Sequence, residues 1–114
     1  MSTEFEDYRM GHLVRTAEVW KQLVELGATG ESKLDFDFSF STKSKGAVEA
    51  LKSELADYPL EVSSEGLFKK SFTISGNSGP INWSEEQLLK WVDYLIQVGR
   101  DAGCDFDGCG ASAP

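Results

Sequence analysis

The stretch Leu34–Phe40, with the sequence LDFDFSF, decides the fold of this chain. Its four large apolar side chains alternate with Asp35, Asp37 and Ser39. Strict alternation over seven residues is the pattern of a β-strand with one covered face and one wet face. The stretch therefore predicts a sheet that packs helices against its phenylalanine side and leaves its acidic side open to water.

Upstream of this strand, the segment HLVRTAEVWKQLVELG has the apolar spacing of a helix. The pattern predicts a helix that begins near His12 and ends at Gly27, because glycine readily adopts the left-handed conformation that stops a helix. We treat residues 1–11 as an N-terminal extension, 12–111 as a single domain and 112–114 as a C-terminal tail. The residues expected on the inward face of the helix are Leu13, Ala17, Trp20, Leu23 and Val24.

Two more helices follow the first strand. The segment TKSKGAVEALKSELADYP predicts one that Pro59 stops, and Ser84 with Gln87 forms a capping box that opens the other. Gly103 is expected to end that last helix. The inward residues predicted for the two helices are Ala47, Val48, Leu51 and Leu55, and then Leu88, Trp91, Val92, Leu95 and Val98.

The segments PLEVSS and LFKKSFTIS predict two strands joined by a turn at Glu65 and Gly66, GNSGPIN predicts a loop, and CDFD a short last strand. One helix followed by β-α-β-β-α-β fits an α+β protein with the ferredoxin-like split βαβ fold. In that four-stranded antiparallel sheet the last strand pairs with the first, and the third strand lies on the first strand's other side. On the third strand, Phe68, Phe72 and Ile74 are expected on one face and Lys69, Ser71 and Thr73 on the other.

The charge balance limits the classes of partner. Of 114 residues, 19 are Asp or Glu and 11 are Lys or Arg, which gives a formal net charge of −8. Binding to phosphates requires an excess of basic side chains, so this balance disfavours nucleic acid and anionic membranes and favours a basic partner or a protein surface. The opening MSTEFEDYRM is too charged for a secretion signal, and no apolar run is long enough to span a membrane. We expect a cytoplasmic protein.

The two thiols lie close together near the end of the chain. Cys104 and Cys109 would be about 16 Å apart on an extended strand, whereas the Cα atoms of a disulfide lie within about 7 Å. The one histidine, His12, lies in or beside the first helix and is expected to be solvated or to cap it, so neither a zinc site nor a Cys–His catalytic pair is indicated. We expect free thiols, a half-buried Cys104, no cofactor, no metal and no enzymatic activity.

Four carboxylates carry the main functional hypothesis. If the first and last strands pair, Asp35 and Asp37 lie beside Asp105 and Asp107 on the open face, and such crowding of like charge is unfavourable without compensation. Lys69 on the third strand would supply part of this compensating positive charge, and a bound Mg²⁺ or Ca²⁺ ion would supply it too. Three readings stay open: a solvated acidic face, an acidic face that recognises a protein, and a metal site.

The same strand order occurs in the RNA-recognition motif, which exposes aromatic side chains on its first and third strands to stack bases. Here the wet face of the first strand carries Asp35 and Asp37 instead, and KKSFTI lacks the glycine and aromatic pattern of that module. RNA binding is therefore disfavoured. A regulatory domain that senses a small ligand or a metal is the alternative function.

The segment GCDFDGCG resembles the end of the regulator of ribonuclease E activity B family, the ribonuclease E inhibitors. In that family a helix is followed by a glycine, an acidic residue and then Tyr-Asp-Gly-Trp-Gly. An opening helix ending in ELG, an aromatic first strand, a helix with AVEAL and a long third helix extend the resemblance over residues 12–111. The matching positions of the motif are Gly103, Asp105, Phe106, Asp107, Gly108, Cys109 and Gly110.

The resemblance implies a ferredoxin-like regulator that inhibits a ribonuclease E-type endonuclease by contact, with no chemistry of its own. Two positions depart from the family pattern, because Phe106 replaces its tyrosine and Cys109 its tryptophan, a side chain of the kind that often dominates interfaces. The expected partner-binding residues are Asp35, Asp37, Asp105, Asp107 and Cys109. In the purely structural alternative, Phe106 packs beside Phe36 or Phe38, Asp107 and Gly108 form a turn, and Cys109 has no role. The choice between monomer and homodimer stays open.

Overall fold

Three helices and four strands follow one another along the chain in the computed structural model, which describes residues 3–66 and 70–112. Phe68, expected on the same face of the third strand as Phe72 and Ile74, and Lys69, expected to compensate part of the negative charge, lie outside the described residues. The helices are α1 (Thr3–Glu25), α2 (Lys45–Glu54) and α3 (Glu85–Ala102), and the strands are β1 (Lys33–Thr42), β2 (Glu61–Glu65), β3 (Ser71–Asn82) and β4 (Asp105–Gly110).

The four strands form one sheet in the order β2-β3-β1-β4, and each neighbouring pair is antiparallel. The last strand pairs with the first, and the third lies on the first strand's other side. This arrangement confirms the predicted α+β, ferredoxin-like split βαβ topology with one additional helix before it.

Strand β1 holds the centre of the core. Leu34, Phe36, Phe38 and Phe40 are all buried, and the intervening residues face the open side of the sheet, which confirms the predicted alternation. Phe38 and Phe40 meet edge to face, with ring centroids 5.9 Å apart. Such packing adds specific geometry to a large buried apolar area.

Helices α2 and α3 begin and end as their sequences indicate. The Ser44 side chain accepts from the Ala47 backbone N–H at the start of α2. The predicted capping box of Ser84 and Gln87 opens α3, and Gly103 caps it in the left-handed conformation with φ 90°. The residues expected to face inward on both helices are buried, except Trp91, which is half-buried. Helix α2 is shorter than predicted and ends five residues before Pro59.

The prediction for α1 was wrong at its start and in part of its inward face. The helix begins at Thr3, so residues 3–11 are helical rather than an extension. It packs against α3 and β4, and this docking buries His12, Thr16 and Leu23 while leaving Val24 48% exposed. Apolar spacing alone could not indicate this face, because the helix turns polar and aromatic side chains toward β4.

The segment GNSGPIN was predicted as a loop and instead forms the second half of β3. Its last residues pair with the start of β1, with Lys33 opposite Asn82. The pairing shifts register between Asp35 and Asp37, which is a bulge in the ladder. The tertiary contact with β1 holds this Gly- and Pro-containing segment in the sheet, although its own sequence has no strand alternation.

Candidate functional site

The face of the sheet that no helix covers is strongly acidic. Six carboxylate residues lie exposed on the described strands, and Lys33 is the single basic residue among those strands. The sheet thus carries most of the chain's excess of negative charge. The residues of this acidic sheet face are Asp35, Asp37, Glu61, Glu65, Asp105 and Asp107.

The register of the strands separates the four aspartates that the sequence placed in one patch. Asp37 lies opposite Gly110, whereas Asp105 lies opposite Ser41. These two positions of β1 are four residues apart in sequence, which is about 13 Å along a strand. Asp35 and Asp37 therefore lie away from Asp105, and Asp107 lies between them, at the bulge opposite Ser39 and Phe40. The four aspartates are spread along the face rather than gathered in one patch as expected, because the bulge in β4 and the end of that strand set this register.

Small hydroxyl side chains fill the middle of the open face. Ser39 of β1 lies opposite Ser75 of β3, and Ser41 lies opposite Thr73. On the far side of β3, Thr73 lies opposite Ser63 of β2. The middle outward positions of the two central strands thus carry hydroxyl groups, where an RNA-recognition motif carries stacking aromatics.

Asp37 forms one wall of a surface pocket of about 360 Å³. Glu61 of β2 forms another wall, and Pro59 and Leu60 supply an apolar side. Two carboxylates beside an apolar wall suit the end and the stem of a long basic side chain, which carries its charge on an apolar chain. The pocket brings together two carboxylates of the acidic sheet face.

Hydrogen bonds orient two of the carboxylates. Asp35 accepts from the Gly79 backbone N–H at 3.1 Å, in the segment where β3 is bulged. Asp107 accepts from the Ser41 hydroxyl at 3.2 Å. The β4 bulge lies at this point, and Gly108 next to it has φ 143°, a conformation that a side chain disfavours. Both carboxylates are therefore held outward by the irregular parts of the sheet.

The motif residues Phe106 and Cys109 lie on the other side of the sheet, under α1. The Phe106 ring is buried, with its centroid 5.5 Å from that of Phe40 and 5.1 Å from that of His12, rather than beside Phe36 or Phe38 as expected. Cys109 lies opposite Phe38 and packs partly buried against the core. The structure therefore does not bring Cys109 together with the acidic sheet face.

Both thiols are free, and neither is activated. Cys104 is buried rather than half-buried as predicted, and burial raises the pKa of its thiol. Burial also raises the pKa of Cys109 to about 11, although a hydrogen bond with Thr16 works in the opposite direction. Because the thiolate is the reactive form, both groups are poor nucleophiles at neutral pH.

Two side chains of α1 have structural roles that the sequence analysis did not predict. The Tyr8 hydroxyl donates to the Phe106 carbonyl oxygen at 2.6 Å, and burial raises the pKa of Tyr8 to about 12. His12, predicted as a solvated or capping residue, is only 7% exposed and lies edge-on between the rings of Tyr8 and Phe106. Burial, aided by the charge of Arg15, lowers the pKa of His12. Together these residues fasten α1 to β4.

Within residues 3–66 and 70–112, no three His, Cys, Asp or Glu side chains converge so that they could hold a metal ion. No helix in those ranges combines the length and the apolar character needed to cross a bilayer. The arrangement that the described residues do offer is a four-stranded sheet with an acidic, hydroxyl-lined outer surface.

No protein-family model matches the chain, and no curated protein matches it in sequence. The resemblance carried by Gly103–Gly110 therefore stays a prediction about function. The residues and their geometry carry the argument that follows.

Proposed function

We propose that this chain is a non-enzymatic regulator that binds a basic protein surface through its acidic sheet face. The observation that carries the proposal is the charge of that face, with six exposed carboxylates and one lysine on the described strands. Such a surface accelerates and selects association with a positively charged partner and repels phosphate backbones.

The pocket between Asp37 and Glu61 is the point at which we expect the tightest contact. A lysine or arginine side chain of the partner would enter it, with its alkyl stem against Pro59 and Leu60 and its charge between the two carboxylates. Desolvated contacts of this kind contribute more to affinity than charges at an exposed rim. The hydroxyl groups around Ser39 and Ser75 would accept further hydrogen bonds from donor groups of the partner.

As the partner we propose a ribonuclease E-type endonuclease in the cytoplasm, whose activity on RNA the chain would lower by occupying a basic surface. The support is the sequence resemblance of Gly103–Gly110 together with the ferredoxin-like layout. An enzyme that binds RNA needs basic surfaces, and an acidic sheet complements them. The proposal does not depend on Cys109, which lies on the helix-covered side of the sheet.

A pull-down from host lysate tests the choice of partner. The tagged chain is the bait, lysate is used with and without nuclease treatment, and bound proteins are identified by mass spectrometry. We expect an endonuclease of this type to remain bound after nuclease treatment, and the purified chain to slow its cleavage of RNA. Enrichment of a different protein, with unchanged cleavage, would contradict the choice of endonuclease and leave the acidic sheet face as a surface for that other partner.

The alternative function, a domain that senses a small ligand or a metal, has a separate test. A ligand that binds only the folded state raises the melting temperature by mass action. We expect Mg²⁺, Ca²⁺ and Zn²⁺ to leave the melting temperature unchanged at physiological ionic strength. A saturable rise with one of these ions would favour the alternative.

A further inference from the structure

The outer side of α1 is unusually apolar for a surface. Within the described residues seven large apolar side chains are exposed, and four of these belong to α1 or follow it directly. Val14 is 59% exposed and Met10 51%. Next to them, a shallow groove of about 340 Å³ between α1 and α3 is lined mainly by Leu13, Val14, Ala17 and Leu89. An apolar area of this kind on a small acidic domain indicates an interaction surface.

One stripe of α1 contains three of these exposed apolar side chains, the exposed Asp7 and Lys21 and the half-buried Ala17, in steps of three and four residues. We call it the outer stripe: Asp7, Met10, Val14, Ala17, Lys21 and Val24. Steps of this size keep side chains on one side of a helix, here the side away from the buried His12, Thr16 and Leu23.

The outer stripe is balanced about Val14. Asp7 and Lys21 each lie seven residues away from it, which is about 10.5 Å, in opposite directions. In the described part of the chain neither residue takes part in an ion pair. A large side chain, Met10, lies on one side of Val14, and a small one, Ala17, on the other.

We propose that the outer stripe binds the outer stripe of a second copy of this chain, with the two α1 helices antiparallel about a twofold axis at Val14. In that arrangement Asp7 of each copy faces Lys21 of the other, and Met10 faces Glu18, the residue next to Ala17. An interface between identical surfaces must be self-complementary, and the opposite charges at the two ends of the outer stripe meet this condition. The charge complementarity is what selects a second copy as the occupant.

The open sheet face is a poor alternative site for self-association. Two copies placed face to face would oppose the same six carboxylates, and like charges across an interface are unfavourable. Pairing through α1 leaves both acidic sheet faces free, because α1 packs on the helix-covered side against α3 and β4. The dimer is therefore independent of the proposed function and compatible with it.

Sedimentation velocity of the full chain over a wide concentration range tests the dimer. We expect a monomer–dimer equilibrium, and we expect D7K or K21D alone to weaken it by about tenfold, since each change places like charges at both ends of the paired helices. An equimolar mixture of the D7K and K21D chains should associate as strongly as the unaltered chain, because the mixed pair again has opposite charges at both ends. Failure of the mixture to recover association overturns the antiparallel pairing.

Two further variants separate the outer stripe from general effects of added charge. Val14→Glu should be monomeric throughout, because it places two carboxylates against each other at the axis. Val62→Glu, at an exposed position on β2, is the matched control and should associate as the unaltered chain does. Thermal unfolding by circular dichroism verifies that each variant is folded. Association of Val14→Glu equal to that of the unaltered chain, or a monomer at every concentration of the unaltered chain, overturns the proposal.

Discussion

The two faces of the sheet are made by the same strands and have opposite properties. On the helix side, Phe36 and Phe40 are 0% exposed and pack in an aromatic core. On the open side, their neighbours Asp35 and Ser39 lie at the surface, among carboxylates and hydroxyls. One face therefore sets the stability of the domain, and the other is free to set what it binds. Substitutions at successive positions of β1 should separate the two properties.

The largest expected effect is on the covered face. Phe40→Ala should lower the free energy of unfolding by about 3–5 kcal/mol, because it removes a buried ring and leaves a cavity beside Phe38 and Phe106. Ser39→Ala, one residue earlier on the open face, should change it by about 0.5 kcal/mol or less. Urea denaturation of both variants measures the difference, and comparable losses at the two positions would contradict the division between faces.

A smaller effect is expected where α3 approaches the sheet most closely. A Cβ atom on Gly99 would lie 2.7 Å from Cε2 of Phe40 and 3.0 Å from the Cys104 carbonyl oxygen. Gly99→Ala should therefore cost about 1–3 kcal/mol, although alanine favours helices.

Gly11→Ala is the matched control for this substitution. Gly11 also lies inside a helix, and its nearest contact to an added Cβ is the end of the Arg15 side chain at 3.9 Å. That substitution should stabilise the domain by about 0.5–1 kcal/mol. Equal stabilisation of both variants would show that the helix layer tolerates displacement from β1.

The smallest expected effect concerns the edge of the covered face, where His12 fastens α1 to β4. Burial and the Arg15 charge hold the pKa of His12 below its ordinary value of 6.5, with Asp107 opposing them. As the pH falls, the unfolded chain therefore binds the proton before the folded chain does. The contribution of neutral His12 to the free energy of unfolding is present above about pH 6.5 and decreases as the pH falls toward the folded pKa. Stability should decline on acidification through this range.

His12→Phe is the variant that isolates this contribution, because it keeps a ring between Tyr8 and Phe106 and removes the titrating group. Between about pH 7 and about pH 5 its free energy of unfolding should fall less than that of the unaltered chain. The acidic residues titrate in both proteins, so the difference between the two slopes reports His12. Parallel slopes would mean that His12 takes up its proton without loss of packing.

The parts of the fold that the sequence predicts are those with local causes. Alternation defined the covered face of β1, and the capping box at Ser84 and the glycine at Gly103 defined α3. The segment GNSGPIN has no such local signal, because pairing with the start of β1 keeps it extended. Likewise, the face of α1 that packs on β4 is determined by the contacts of Tyr8 and His12 with Phe106, a residue that is distant in sequence.

The candidate site divides in the same way. Strand alternation predicts the outward position of the four aspartates, Asp35, Asp37, Asp105 and Asp107. Their spread along the face does not follow from alternation, because it depends on a bulge in β4 and on where that strand ends. The contribution of Glu61 to the pocket at Asp37 depends on the register of β2 against β3. Register is a tertiary property, and one strand's sequence does not contain it.

The most direct measurement of the central claim is the affinity of purified, nuclease-treated endonuclease for two charge-reversal variants. D37K/E61K changes the pocket on the acidic sheet face and avoids Asp35, whose hydrogen bond to Gly79 supports the fold. E49K/E54K makes the same change in charge at exposed positions of α2, on the helix side. If the acidic sheet face is the binding surface, D37K/E61K loses binding with an unchanged melting temperature, while E49K/E54K binds nearly as the unaltered chain does. Equal binding losses in both variants would mean that net charge alone drives association, and unchanged binding by D37K/E61K would contradict the account.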